Sequence, residues 1–189
     1  MKKTRRFTAA NKAVFLDRDG TLIYERPGRY LRYPRQVKLY KTAAPALKIL
    51  KKSGYKIFII SNQSGIGRGY FTAEEVDKVH ARLQKMLGLC RAREIVYCPH
   101  APYENCACRK PKPLLGQNLV KKYNIDVSRS FMVGDKKSDM DFGEALGVTG
   151  VLVRTANGNA QVKKYGAQIK AAKITGNLLG AAKYIKGLS

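Results

Sequence analysis

The chain has 189 residues, 44% of them hydrophobic, which is enough for one well-filled core and too few for two ordinary domains. No apolar run approaches the ~20 residues that span a bilayer, and the amino terminus, MKKTRRFTAANK, is basic without the apolar stretch of a secretory signal. Thirty-seven Lys and Arg against 13 Asp and Glu give a formal net charge of +24, which favours anionic partners over acidic-patch binders. A single cytoplasmic domain is expected, with residues 1–11 as a basic extension, no membrane partner, and a monomeric state. The excess gathers at the ends: residues 1–16 carry five bases and no acid, and the chain after Glu144 carries seven bases and no acid. No aromatic residues are spaced among these lysines as a stacking platform, so nucleic-acid contact through the ends is open but not favoured.

Taken in chain order, KAVFL (12–16) reads as a buried strand, and the Arg, Tyr and Pro-rich stretch from Tyr24 to Tyr40 as a loop or hairpin. TAAPALKILKKSG (42–54) reads as a helix stopped by Gly54, and YKIFII (55–60) as a second strand. A glycine-rich turn precedes a helix from Thr72, where TAEE offers a capping box. REIVYC (93–98) is a third strand, residues 113–123 a helix, SFMVG (130–134) a fourth strand, SDMDFGEAL a short helix and VTGVLVR a fifth strand. This alternation predicts an α/β, Rossmann-like parallel sheet with helices on both faces.

In such sheets ligands collect beyond the carboxyl ends of the strands. The polar clusters fall there: Asp17 and Asp19 after the first strand, Ser61 and Asn62 after the second, Lys110 downstream of the third, Asp135 and Asp139 after the fourth. The Gly20-Thr21 turn lets the chain curl so that both aspartates reach one ligand. One carboxylate can act as a covalent nucleophile and another as general acid and base. With Asp135 they can also hold Mg²⁺, while a hydroxyl and a lysine suit phosphoryl oxygens.

DRDGT, SNQSG, the lysine of CRKPKP and GDKKSD resemble the four ordered motifs of the haloacid dehalogenase-type phosphatases. The resemblance spans residues 14–153 and implies that Asp17 forms an aspartyl-phosphate, that Asp19 is the acid and base, and that Ser61 and Lys110 anchor phosphate. It further implies Mg²⁺ held by the Asp17 carboxylate, the Asp19 carbonyl and Asp135, with Asp139 in support.

The loop CPHAPYENCAC offers Cys98, His100, Cys106 and Cys108, the ligand set of a closed structural zinc site. A pair of disulfides is the competing reading, disfavoured in a reducing compartment and silent about the histidine. Cys90 reads as a helix-end core residue, and His80 receives no role. Together with SNQSGIGRGYFT and CRKP, this loop resembles the heptose bisphosphate phosphatases and the related histidinol-phosphate phosphatases, which implies no large cap domain and an open site.

The expected rim is the Tyr24 to Tyr40 segment, the glycine-rich turn at 65–69 and the cysteine loop. Its bases are Arg26, Arg29, Arg68 and Arg109, joined by Lys112, Lys136 and Lys137, against Glu25 and Glu104. An ammonium-bearing substrate such as histidinol phosphate would want carboxylates there, whereas a sugar bisphosphate fits a basic field. Asn62, Arg68, Arg109 and Lys136 are the expected substrate contacts. NQSGIGRG also looks like the polynucleotide 3′-phosphatases, although the cysteine loop argues against them.

Overall fold

The computed structural model describes residues 10–25 and 30–189; residues 1–9, and with them most of the basic extension, lie outside the described residues, as do Arg26 and Arg29 of the expected rim. Six parallel strands, β1 (Ala13–Leu16), β2 (Lys56–Asn62), β3 (Glu94–Cys98), β4 (Phe131–Gly134), β5 (Thr149–Val153) and β6 (Lys173–Thr175), form one sheet in the order β3-β2-β1-β4-β5-β6. Between them run α1 (Ala43–Lys52), α2 (Ala73–Leu87), α3 (Leu114–Tyr123), α4 (Lys137–Leu146) and α5 (Gly158–Tyr165), and α6 (Leu178–Gly187) closes the chain.

Successive strand residues face opposite sides of a sheet, and here both sides are apolar. Val14, Leu16, Ile57 and Ile59 join one core with α1, α2 and α6. Phe15, Phe58, Ile60 and Met132 join the other with Leu119 of α3 and Phe142 and Leu146 of α4. The expected capping box is formed: Thr72 Oγ1 accepts from Glu75 N at 3.3 Å while Glu75 Oε2 accepts from Thr72 N at 2.9 Å. Among the described residues no helix is long and apolar enough to cross a membrane.

β6, α5 and α6 were not anticipated. β6 has three residues, too few to show a period, and α5 opens on GNAQ with little apolar content. α6 does carry a legible stripe, Leu178, Ala181, Ala182 and Ile185, buried against α1, and its cap is Asn177, whose Oδ1 accepts from Gly180 N at 3.1 Å.

The described residues of the Tyr24 to Tyr40 segment, 24–25 and 30–40, form a short flap, and among the described residues there is no large cap. Tyr24 N donates to Lys38 O at 2.9 Å and Tyr40 N to Leu22 O at 3.0 Å, which closes its base. Its outer part is tied to the start of α2: the Tyr30 ring lies 5.2 Å from that of Tyr70, and Arg32 pairs with Glu75 at 2.7 Å.

Phe142 is fully buried beneath the sheet. Phe142→Ala should lower the unfolding free energy by about 3–5 kcal/mol in urea titration, since the cavity cannot refill between β1 and β4; a loss below ~1 kcal/mol would show that this core layer is not closely packed.

Candidate active site

β1 ends the sheet's central position by delivering Asp17 into the crevice where the strand order reverses, its amide donating to Val133 O at 2.9 Å. The chain then turns through Gly20 at φ +87°, where a Cβ would stand 2.6 Å from Asp135 Oδ2. Glycine is required there on both counts. Asp135 follows β4, and Asp139 lies in the first turn of α4, where its Oδ2 accepts from Lys136 N at 3.0 Å.

Lys110 joins these groups. Its Nζ donates to Asp17 Oδ1 and Asp139 Oδ1, each at 2.6 Å, and to Ile60 O at 2.8 Å. Two buried carboxylates therefore share one ammonium, and a third, Asp135, lies beside them without touching it. Burial pushes Lys110 down, but the charges of Asp139 and Asp17 overcome it and hold the group above the usual lysine range. Burial pushes Asp17 up to about 6 against the pull of Lys110, and burial with the Asp17 charge pushes Asp135 up to about 8.

Asp135 Oδ2 accepts from both Asn157 N and Asn157 Nδ2 at 3.0 Å, while its Oδ1 is buried with no partner among the described residues. Carboxylate oxygens of Asp17, Asp135 and Asp139 lie within 4.8 Å of one another. An orphaned buried oxygen among all-oxygen donors with surplus negative charge fits a hard divalent cation.

Asp19 sits apart from this cluster. Arg18, only 1% exposed, grips Asp19 Oδ2 through Nη2 at 2.8 Å and Nε at 3.0 Å, and Gln63 Nε2 donates to the same oxygen at 3.0 Å. Against the upward push of burial, these partners hold the Asp19 carboxyl below the usual carboxylate range. Gln63 Nε2 also reaches Ser61 Oγ at 2.6 Å, and Gln63 Oε1 accepts from Arg18 Nη2 at 2.8 Å. Behind Arg18, His80 Nε2 stands 2.9 Å from Nη1. A guanidinium only donates, so His80 is the acceptor, and burial followed by the Arg18 charge pushes it down to about 3. Arg18, Gln63, Asn157 and His80 carried no functional assignment from sequence.

The cleft above these groups encloses about 1270 Å³. Arg68, Arg109 and Lys136 line it as expected, but two described bases of the expected rim, and Glu104, do not. Lys112 turns into the cysteine loop, donating to Asn105 Oδ1 at 2.7 Å and Cys106 O at 2.9 Å, and Lys137 pairs with Asp141 at 2.7 Å. Their place is taken by Arg35 and Lys38 of the flap. Lys136 Nζ pairs with Glu25 at 3.1 Å, and Glu25 Oε2 also accepts from Asn157 Nδ2 at 2.7 Å. Asn62 clamps the Lys110 peptide with both ends of its amide, at 3.0 and 3.1 Å, so it positions that lysine as well as lining the cleft.

In the cysteine loop the Sγ atoms of Cys98 and Cys106 are 3.4 Å apart and those of Cys106 and Cys108 3.6 Å, and His100 Nδ1 lies 3.7 Å from Cys98 Sγ and 3.3 Å from Cys108 Sγ. A tetrahedral cation with ligand bonds of about 2.0–2.3 Å requires edges of roughly 3.5–3.8 Å, close to these. None of the four cysteines is paired in a disulfide. Burial, with the Cys108 and Cys106 hydrogen bonds, pushes the Cys98 thiol up to about 12, so a thiolate there would need a cation beside it. The loop braces the glycine-rich turn: Gly67 N donates to Pro99 O at 2.8 Å, and a Cβ on Gly67 would stand 2.5 Å from Ala101 N.

An uncapped parallel sheet with an aspartate ending the central strand, a buried lysine and two further carboxylates defines the HAD-like hydrolase class. A family model for HAD-hydrolase-like proteins matches residues 107–181. The D-glycero-β-D-manno-heptose-1,7-bisphosphate 7-phosphatase of Helicobacter pylori strain J99 is 44% identical over 151 residues, covering 78% of this chain and 85% of that protein. The histidine biosynthesis bifunctional protein HisB of Campylobacter jejuni subsp. doylei is 38% identical over 145 residues, 75% of this chain but 41% of that longer protein. Among solved structures, the D,D-heptose 1,7-bisphosphate phosphatase of B. bronchiseptica, complexed with magnesium and phosphate, superposes with a TM-score of 0.86 at 25% identity, covering 94% of this chain and 99% of that one. The chain belongs to the HAD-like phosphatase family that contains these heptose-bisphosphate phosphatases.

Because Asp17 and Asp135 bind protons more tightly folded than unfolded, the cation-free chain should lose stability as pH rises from about 4 to about 8. A divalent cation displaces those protons, so the rise in Tm with excess Mg²⁺ should be larger near pH 8 than near pH 5; a pH-independent rise would place the cation elsewhere. Cys106→Ser should lower bound metal and Tm together, and unchanged metal content would remove this loop as a metal centre.

Proposed function

We propose that the chain is a Mg²⁺-dependent phosphatase that removes the 7-phosphate of a D-glycero-D-manno-heptose 1,7-bisphosphate through an aspartyl-phosphate. The observation that carries the substrate class is the cation-lined cleft: Arg35, Lys38, Arg68 and Arg109 face the same space as Asp17. Such a field suits a second phosphate, through bidentate guanidinium contacts. The relatives named for this activity support the reading.

The Asp17 carboxylate, the Asp19 carbonyl and Asp135 are the groups that would hold Mg²⁺, with Asp139 in support, and the cation would supply charge neutralisation for the entering phosphate. Lys110 and Ser61 hold equatorial phosphoryl oxygens, where the transition state carries its charge. Asp17 attacks phosphorus, the P–O bond to C7 breaks, and Asp19 gives its proton to the departing sugar oxygen. At rest Asp19 is ionised, held so by Arg18; the dianionic phosphate beside it raises its proton affinity, so it takes up a proton from solvent as the substrate enters and carries it into the first step as the acid. Having lost that proton, it deprotonates the water that cleaves the acyl-phosphate and returns Asp17. We also infer that zinc, with its preference for thiolate and imidazole in a closed tetrahedron, occupies the cysteine loop.

Histidinol phosphate is the second reading, favoured by the HisB relatives. Its ammonium would need a rim carboxylate, and the one that lines the cleft, Glu25, is engaged by Lys136 and Asn157.

Asp17→Asn should reduce phosphate release by at least ~10³-fold while leaving Tm unchanged or higher, because it removes a charge that burial disfavours. Phosphate release with Mg²⁺ should favour a heptose bisphosphate over histidinol phosphate and over a 3′-phosphorylated oligonucleotide. A preference for either competitor would keep the chemistry and overturn the substrate.

A further inference from the structure

The formal charge of +24 is not consumed by the cleft, and the strand direction sorts it. All strands are parallel, so each begins at the end of the sheet opposite the carboxylates. That end carries Lys12, Lys56, Arg93 and Lys173 at or immediately before the starts of β1, β2, β3 and β6. The helices return to it, with Lys51, Lys52, Lys85, Lys121, Lys122 and Lys186 in last turns. Lysine at a helix C-terminus complements the macrodipole and needs no ligand. Bases at strand starts have no such explanation.

The acids at this end are already engaged: Glu94 pairs with Lys122 at 2.8 Å, Glu144 with Lys170 at 2.6 Å, and Asp126 accepts from Ser128. Among the described residues none forms an ion pair with Lys12, Lys56, Arg91 or Arg93. Lys51, Lys56, Arg91 and Arg93 surround a depression of about 760 Å³. Beside it, Leu89 is 98% exposed in the short turn Gly88–Cys90, its carbonyl held by Lys51 Nζ at 3.1 Å. Leu188, 58% exposed, lies on the same side, since the adjacent Ser189 Oγ is 3.0 Å from the Tyr55 hydroxyl.

We propose that this face docks the protein peripherally on a bilayer of anionic lipids, with the bases against headgroup phosphates and Leu89 in the interfacial layer. Nucleic acid is the other polyanion of this charge. A leucine gains nothing against a phosphate backbone, and the ring of the depression, Tyr55, is buried with Lys12 Nζ 4.4 Å over its face, leaving no stacking platform. Docked this way, the catalytic cleft faces water at the opposite end of the strands.

The test is co-sedimentation of the full chain with vesicles of phosphatidylglycerol and phosphatidylcholine, compared with phosphatidylcholine alone. The mixed vesicles should bind it and the neutral ones should not. K56Q/R91Q/R93Q should weaken binding by roughly 100-fold, and Leu89→Ser by about tenfold. K41Q/K48Q/K78Q, which removes the same number of charges elsewhere, should change it by no more than about twofold. Phosphate release by all variants in vesicle-free solution should match the parent. Equal binding to neutral vesicles, or no binding to anionic ones, overturns the proposal. So does an equal loss in the control triple, which would reduce the effect to net charge. Parent-like binding by Leu89→Ser, with displacement by an oligonucleotide, would make the face a polynucleotide surface instead.

Discussion

The site depends on one buried ammonium. Lys110 Nζ sits between Asp17 and Asp139 at 2.6 Å from each, and without it three carboxylates would face one another in a medium that penalises even one. The ammonium does not balance them; it leaves Asp135 Oδ1 unpartnered and Asp135 pushed up to about 8. That residual imbalance is the site's capacity for a cation and for a phosphate, since a fully neutralised cluster would attract neither. The position of Lys110 is itself determined twice. Asn62 at the end of β2 holds its peptide from one side, and the cysteine loop that ends in Cys108 holds the chain from the other. The cysteine loop thus ends two residues before the buried ammonium in sequence, so a metal held there would brace it.

How much of this was legible follows from what each residue is bonded to. Asp17, Ser61, Asp135 and Lys110 are recognisable because each sits at or just beyond a strand whose apolar run is plain, in a short motif with glycine or proline beside it. The five longer strands and the first four helices were legible for the same reason of period. Asn157 was not, because it follows β5 in TANGN, a stretch that reads as turn, and its role exists only through Asp135, 22 residues away. Gln63 and Arg18 lie inside recognised motifs, yet nothing in DRDGT says that the arginine between two aspartates turns inward to His80 on α2. Arg35 and Lys38 lie on a flap with no period, so their approach to the cleft is a tertiary fact. The reverse error, placing Lys112 and Lys137 on the rim, came from counting charge by sequence proximity when each had a nearer partner.

The two aspartates of DRDGT are chemically separated by their partners. Asp17 is raised by burial with Lys110 as its close cation, whereas Asp19 is lowered by Arg18 and Gln63. Groups two residues apart thereby acquire different proton affinities, the condition for one to act as nucleophile and the other as proton carrier. Gln63 ties the arrangement to the phosphate end of the cleft, since one amide nitrogen contacts both Asp19 Oδ2 and Ser61 Oγ. Because Ser61 Oγ accepts from that amide, its own proton is left to donate to an anionic ligand, so one amide orients Ser61 and Asp19 together.

Strand direction organises the charge of the whole molecule. Parallel strands put every strand end, and every returning helix start, on the catalytic side, as with α4 beside Lys136 and Asp139. The same geometry puts every strand start and helix finish on the far side, where lysines accumulate. Complementing five helix C-termini explains some of that accumulation, but a macrodipole acts only within its own last turn and cannot account for Lys12, Lys56 and Arg93. Nor do those bases serve the substrate: they lie the length of the strands from Asp17, and with a Debye length of about 8–10 Å at ordinary salt their field is largely screened before it reaches the cleft. A charge that neither stabilises a helix nor steers the substrate acts on what touches its own face, and the exposed Leu89 beside those bases fits a contact with an apolar layer beneath anionic groups.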